Sequence, residues 1–228
     1  MKLSVIIPVF NEKDTIQEVV RRVRETDVGM EKEIIIVDDG SQDGTQDILK
    51  NMNFPDTQVL FQEKNQGKGA ALHKGFSNAR GDIILIQDAD LEYDPADYPT
   101  LLKPILDGRA DAVYGSRFLG GPHRVLFFWH YVGNKLLTTL SNMLTNLNLS
   151  DMETCYKVIK KEVLDRITLK SKRFGFEPEI TVKLAKLKAK IYEVPISYSG
   201  RDYSAGKKIG WKDGIAAICH IIRFKFFK

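Results

Sequence analysis

The stretch "IILIQDADLEYDP", residues 83–95, runs from four aliphatic residues straight into acid. Asp88, Asp90, Glu92 and Asp94 then occupy every second position. Carboxylates packed this closely repel one another unless a cation sits between them. Hard divalent cations take oxygen ligands, commonly one or two carboxylates completed by substrate phosphates. Asp88 and Asp90 can both reach one ion from a curled loop, and Glu92 can add a third oxygen or hold a water. The pattern points to Mg²⁺ or Mn²⁺ bridging a diphosphate. Aspartates after strands also serve as turn and cap residues. Asp94, directly before Pro95, is assigned that structural role.

Two further stretches carry the same kind of chemistry. In "VDDGSQDGT" (37–45), two acids precede a glycine-rich turn. Asp39 suits a nucleobase N–H, because an ionised carboxylate only accepts hydrogen bonds. Asp43 suits the cap of the following helix. In "NQGKGAAL" (65–72), Gly67 and Gly69 flank Lys68 at a helix start. Backbone N–H groups there suit an anion. The same glycines equally permit close packing. No P-loop pattern occurs, and no G-x-G-x-x-G follows the first strand, which argues against P-loop and dinucleotide chemistry.

These stretches need a scaffold, and the chain spells one out. "LSVIIPV" (3–9), "EIIIVDDGS" (33–41), "TQVLFQ" (57–62), "DIILIQD" (82–88) and "ADAVYGSR" (110–117) read as strands, several too apolar to face water on either side. Between them lie helices over 14–25, 44–52, 67–79 and 97–108. The first has Ile16, Val19, Val20 and Val23 at helical spacing, with Asp14 as its N-cap. Alternating strands and helices imply a mostly parallel, doubly wound α/β sheet with helices on both faces. Ligands bind such sheets beyond the carboxyl ends of the strands, so the acidic tails are expected to converge on one rim. After residue 120 come a long helix (about 125–147), "TCYKVIK", a short helix, the helix "EPEITVKLAKL" (177–187) and the strand "KIYEVPISY" (190–198). The 228 residues read as one domain, with an alternating first half (about 1–118) and an elaborated second half (about 119–228), which the resemblance described below makes the sugar-nucleotide and acceptor halves.

Composition narrows the partners. Hydrophobic residues make up 43% and charged residues 28%, as in globular proteins generally. A net charge of +4 fits anionic ligands or a membrane surface and is too weak to argue for nucleic acid. Cys155 and Cys219 make neither a disulfide framework nor a zinc site. The apolar run of the N-terminus is cut by Pro8, unlike a signal peptide. "VLFFWHYVGNKLLTTLSNMLTNLNL" is too polar for a membrane span, which needs about 20 mostly apolar residues. In "WKDGIAAICHIIRFKFFK", residues Trp211, Ile215, Ile218, Ile222 and Phe226 form one helical stripe, with Arg223, Lys225 and Lys228 near its end. That helix suits either an anionic membrane surface or docking on the core.

Taken together, "SVIIPVFNE", "IIIVDDGSQDGT", "NQGKGAAL", "QDADLEYDP" and "GSRF" resemble the family 2 glycosyltransferases, and among them the polyprenol-phosphate (dolichyl-phosphate) mannose and glucose synthases. The resemblance runs on through "DMETCYKVIKKEVL", "RFGFEPEIT" and "YEVPISYSGRDYSAGKKIGWKDG". It implies a GT-A fold, a nucleotide-diphospho-sugar donor, a divalent metal and an inverting hexosyl transfer. Carried onto this chain, it places Pro8, Phe10, Glu12, Val37 and Asp39 around the nucleotide. Asp88, Ala89 and Asp90 cradle the sugar diphosphate, and Asp88, Asp90 and Glu92 hold the metal. The family often has Gln where this chain has Glu92. Arg117 faces the phosphates, and Arg201 with Lys207 or its neighbour Lys208 closes over donor and acceptor phosphate; Lys68, from the glycine-flanked helix start, joins the nucleotide-sugar candidates. The mannose synthases usually hold the acceptor phosphate with a basic residue and a hydroxyl after "GSR". Here the segment departs, leaving Arg124, His130 and Lys135 as candidates. His130, in aromatic surroundings, also suits packing.

The expected activity is transfer of one hexose to a polyprenyl (dolichyl or undecaprenyl) phosphate at the cytoplasmic face of a membrane. A membrane-protein partner or a homodimer is compatible with it. A phosphate acceptor is already anionic and needs no base. A hydroxyl acceptor would need one, with Asp151 and Glu177 as candidates, although a turn residue and a helix cap describe them equally well. That hydroxyl-acceptor reaction is the first alternative. A sugar-phosphate nucleotidyltransferase and a sugar-nucleotide sensor are others.

Overall fold

The computed structural model describes residues 1–120, 123–125, 127–173, 175–201 and 211–227, the side chains of 211–213 and 215 excepted. Seven strands form one sheet: β1 (Lys2–Val9), β2 (Glu31–Asp38), β3 (Thr57–Phe61), β4 (Ile83–Ile86), β5 (Ala112–Ser116), β6 (Lys157–Lys160) and β7 (Ile191–Pro195). Their order across the sheet is β3-β2-β1-β4-β6-β5-β7. β1 pairs parallel with β2 and β4, β2 with β3, and β5 with β7. β6 runs antiparallel to both neighbours, β4 and β5.

Burial follows this order. Every residue of β4 and β5 is buried, whereas the edge strands β3 and β7 have no buried residue. The aliphatic runs thus went to the centre, where both faces are covered. The helices are α1 (Ile16–Glu25), α2 (Thr45–Lys50), α3 (Lys68–Asn78), α4 (Tyr98–Leu106), α5 (Phe128–Thr145), α6 (Lys161–Leu164), α7 (Phe176–Lys186) and α8 (Trp211–Phe226). α1 buries Ile16, Val19, Val20 and Val23, the stripe its spacing predicts.

Local details depart from expectation. Asp14 is exposed and does not cap α1; Thr15 holds the N-cap position. The Thr15 hydroxyl instead lies 2.7 Å from the Ala89 carbonyl oxygen and 3.0 Å from Glu12 Oε2. Asp43 behaves as expected at the start of α2, its Oδ1 accepting from Thr45 N at 3.0 Å, and its Oδ2 also accepts from Lys13 N. α8 is apolar on two sides. Ala217, Ile221 and Phe224 pack inward, while Ile222 and Phe226 of the anticipated stripe face out. α5 exposes Phe128, Trp129, Leu136 and Met143. No helix among the described residues is long and apolar enough to cross a membrane.

Gly67 and Gly69, at the start of α3, serve packing. A Cβ on Gly69 would lie 2.2 Å from the Ser171 carbonyl oxygen, and one on Gly67 (φ +100°) 2.5 Å from that of Lys172. Ala70 N donates to the Lys172 carbonyl at 3.0 Å, locking the same contact. Gly69→Ala must push α3 off a fixed backbone segment. It is expected to cost about 1–3 kcal/mol, read as a lower denaturation midpoint with an unchanged slope in urea.

Candidate active site

The reversal of β6 decides what the rim contains. Parallel strands bring their carboxyl ends to one edge, and an antiparallel strand brings its amino end there. Register pairs Leu85 with Val158 and Tyr114 with Lys157. Residues 151–155 therefore stand beside the tails of β4 and β5. Cys155 Sγ lies 4.0 Å from the Ile86 carbonyl oxygen, and Thr154 Oγ1 donates to the Gly115 carbonyl at 2.5 Å.

The acids after β4 are met by side-chain cations. Lys68 Nζ lies 2.9 Å from Asp88 Oδ1 and 3.2 Å from Glu177 Oε1. Burial opposes the Lys68 ammonium, but Asp88 and Glu177 outweigh it and hold its pKa well above the usual lysine value. Arg201 reaches across the rim, with Nη2 3.0 Å from Glu12 Oε1 and 3.2 Å from Asp90 Oδ2. Nη1 bonds Glu12 Oε2 at 3.1 Å. Asp90 stays under-compensated. Burial, then the charges of Asp88 and Glu92, push its pKa up to about 7.

This donor set fits a divalent cation. Asp88 and Asp90 offer hard carboxylate oxygens on one curled loop, and negative charge exceeds its local counter-charge. Among the described residues no three acidic, His or Cys side chains are gathered into a cage. That suits an ion taking the rest of its shell from phosphate and water. Glu92 departs from the expected metal role. Its Oε2 accepts from the Tyr198 hydroxyl at 2.9 Å and its Oε1 from Arg201 N at 2.7 Å. It anchors the segment that delivers Arg201.

Arg117, at the end of β5, is clamped by Asp151. Nε donates to Asp151 Oδ2 at 2.6 Å and Nη2 to Oδ1 at 2.8 Å. Asp151 takes two of the five guanidinium donors in this way, and the Tyr198 side chain also meets the guanidinium. Asp151 is fully buried, and Arg117 overrides that burial to hold its pKa below the usual value. Asp151 is thus neither a plain turn residue nor a base with a free oxygen. Glu193 accepts from Ser150 N and Asp151 N and fixes this turn. Glu177, at the second position of α7, points into the cluster rather than capping its helix.

The residues expected around the nucleotide are placed as follows. Asp39 Oδ1 accepts from Gln62 Nε2 and Gln66 N, both at 2.8 Å, and Oδ2 accepts from Gly67 N at 2.7 Å. The anion at the start of α3 is therefore Asp39 itself, its carboxylate accepting three hydrogen bonds. Pro8 pairs with Val37 in register, and Phe10 is half-buried at the end of β1. Val37 is fully enclosed and packs toward Gly75 of α3, so its side chain is core and not pocket wall. Ala89, also buried, is held by Thr15.

The acceptor candidates separate. Lys135 Nζ bonds the Ser150 carbonyl oxygen at 3.1 Å, next to the Arg117–Asp151 pair. Arg124 bonds the Gly200 carbonyl oxygen at 3.2 Å, beside Arg201. His130 packs its ring 5.4 Å from that of Phe127. Lys207 and Lys208 lie outside the described residues. Glu153, Thr15, Tyr198 and Glu193 were not singled out from sequence. Only the β6 reversal brings Glu153 to the rim. Burial, then the Glu177 charge, push its pKa up to about 8. A groove of about 470 Å³ between α1 and α2 lies elsewhere, bordered by Arg21 and Phe54.

Asp151→Ala would strand a buried guanidinium. It is expected to destabilise the protein by about 3–5 kcal/mol in chemical denaturation. Asp151→Asn, which keeps one acceptor oxygen, should cost less.

Comparison with known proteins bears on what this rim does. Residues 4–168 match the family described as Glycosyl transferase family 2. A dolichol-phosphate mannosyltransferase of Pyrococcus furiosus is 30% identical over 92% of this chain, which spans 60% of that protein's length. An undecaprenyl-phosphate mannosyltransferase of Micrococcus luteus is 31% identical over 96% of this chain and 92% of its own. Glucosyl-3-phosphoglycerate synthase of Mycobacterium tuberculosis, solved with Mn²⁺, UDP and phosphoglyceric acid, superposes with a TM-score of 0.77 at 19% identity, covering 100% of this chain and 79% of that one. The same enzyme was also solved with Mg²⁺ and UDP. At that identity the likeness speaks for the fold, which is GT-A. On the match over 4–168 and the mannosyltransferase relatives, the chain is a glycosyltransferase and belongs to glycosyl transferase family 2.

Proposed function

We propose that this protein transfers one hexose, with inversion, from a nucleotide-diphospho-sugar to a polyprenyl phosphate at the cytoplasmic face of a membrane. The observation that carries the reading is the rim itself. Asp88 and Asp90 stand there opposite Lys68 and Arg201, with Arg117 at the next strand end. The polyprenyl-phosphate names of the relatives support the acceptor. The apolar residues exposed on α5 and α8, with Arg223 and Lys225 nearby, support a lipid surface.

In this reading Asp88 and Asp90 hold Mg²⁺ or Mn²⁺, which neutralises the donor diphosphate. Lys68 and Arg201 exchange their carboxylate partners for phosphate oxygens when donor enters. Asp151 holds Arg117 in one orientation, and the guanidinium donors it does not take are offered to phosphate. An acceptor phosphate oxygen attacks the anomeric carbon, and the bond from that carbon to the diphosphate breaks. The nucleoside diphosphate leaves with the bonding electrons. Lys68, Arg117 and Arg201 stabilise the charge that develops on it. No proton has to be removed, which agrees with Asp151 being locked in an ion pair. Lys135 and Arg124 flank the acceptor side.

Purified protein given labelled UDP-glucose, UDP-galactose or GDP-mannose, polyprenyl phosphate and Mn²⁺ should move label into the organic phase. Asp88→Asn and Asp90→Asn are expected to lower that rate by about 10²–10³-fold without unfolding the protein. Normal turnover in either variant contradicts the assignment. Label that moves to a sugar hydroxyl instead of the lipid supports the alternative acceptor.

Proton and metal compete for Asp90. Its raised pKa favours the protonated form in the fold, so ionisation costs metal-free stability as pH rises from about 3.8 to about 7. Mn²⁺ needs the ionised form. Its affinity by calorimetry should rise up to about tenfold per pH unit below pH 7 and level off above it. A flat profile between pH 5 and 7 would remove Asp90 from the metal site.

A further inference from the structure

Segment 149–152, between α5 and β6, touches both sides of the proposed reaction. Asp151 clamps Arg117 on the leaving-group side. On the acceptor side, the Ser150 carbonyl oxygen accepts from Lys135 Nζ at 3.1 Å. One polar row of α5 grips the same segment. Asn134 Nδ2 donates to Asp151 Oδ1 at 3.2 Å, and Thr138 Oγ1 accepts from Met152 N at 3.1 Å. Asn142 bonds both the N–H and the carbonyl of Leu149. Positions four apart lie on one helix face, so a single face of α5 meets the whole segment.

Glu193 holds that segment from the sheet. It lies on β7, in register with Tyr114 of β5. Its carboxylate accepts from Ser150 N at 2.8 Å, from Asp151 N at 3.1 Å and from Ser150 Oγ at 3.2 Å. The Ser150 hydroxyl oxygen is also 2.6 Å from that of Ser116, the residue before Arg117. Burial pushes the Glu193 pKa up, against the hydrogen bonds it accepts. The fold keeps a carboxylate here despite that burial. Charge-assisted hydrogen bonds are shorter and stronger than neutral ones, and so fix geometry better. Those of Glu193 converge on the two residues that meet Lys135 and Arg117.

On the reading of the function given above, we propose that Glu193 is a positioning residue for the transfer. Through Ser150 and Asp151 it fixes Arg117 against the leaving diphosphate and Lys135 on the acceptor side. Donors stabilise a transition state best when aimed beforehand at the developing charge. Misplacement by about 1 Å, from a change remote from the chemistry, is enough to slow a reaction by about 10²-fold. The competing account is purely structural: Glu193 only secures β7 at the edge of the sheet.

Two conservative variants separate reach from charge. Glu193→Asp keeps the charge and shortens the reach by one methylene. Glu193→Gln keeps the reach and an acceptor oxygen. With Mn²⁺, labelled donor and polyprenyl phosphate, Glu193→Asp should lower kcat by about tenfold and raise the lipid KM about threefold. Its donor KM should stay within about twofold, and Glu193→Gln should stay within about threefold of wild type throughout. Combined with Arg117→Lys, which already breaks the forked pairing, Glu193→Asp should cost less than about a further twofold in kcat. A structural role gives a loss that follows the unfolded fraction seen in chemical denaturation and that multiplies in the double variant. That result overturns the proposal. So does wild-type kcat in Glu193→Asp, an equal rise in both KM values, or a Glu193→Gln as slow as Glu193→Asp. A wild type that moves no label to lipid is a separate result: it overturns the function itself, and this inference with it.

Discussion

Uncompensated negative charge at one edge of the sheet is the constraint around which the rest of this protein is arranged. Glu12, Asp88, Asp90 and Glu92 come together where low-dielectric core meets solvent. Lys68 and Arg201 offset only part of their charge. Asp90 records the imbalance in its raised pKa. Buried like charges persist only where the surroundings hold them in place. Here Thr15 braces the loop at Ala89, and Glu92 ties it to Tyr198 and Arg201. On the function proposed above, a ligand carrying both a cation and phosphates would let each of these charges find a better partner than it has alone.

The two basic side chains do different work from Arg117. Lys68 and Arg201 bridge separate acids at distances near 3 Å and can exchange them. Arg117 is fixed by a forked pairing with a wholly buried aspartate whose turn is itself pinned by Glu193. The rim thus combines one rigid cation with two that are free to re-pair. In the proposed reaction the rigid donor would keep its alignment as charge develops on the leaving group, while the other two would accommodate the ligand's arrival.

Much of this was legible beforehand because it depends on short-range pattern. Aliphatic runs such as Ile83–Ile86 become central strands since only covered faces suit them, and Val19, Val20 and Val23 mark the inner face of α1. The acids that follow a strand in a parallel sheet must emerge at its ligand-binding edge, which made Asp88 and Asp90 readable. Asp14 misled because cap preference is weak and Thr15 had a stronger partner in the Ala89 carbonyl. Gly67 and Gly69 read equally as an anion cradle or as packing. Only the approach of Ser171 and Lys172 chose between them.

The sequence by itself determined which residues form strands, where those strands end, and that acid gathers at their ends, because these follow from side-chain chemistry over a few neighbouring positions. Tertiary structure decided which charges pair. Glu92 went to Tyr198 and Arg201, Asp39 to the start of α3, and Asp151 to Arg117. It also turned β6 against its neighbours and so carried Glu153 to the rim. Each of those outcomes joins residues tens of positions apart, and strand direction and side-chain reach are properties of the assembled sheet and not of any local stretch.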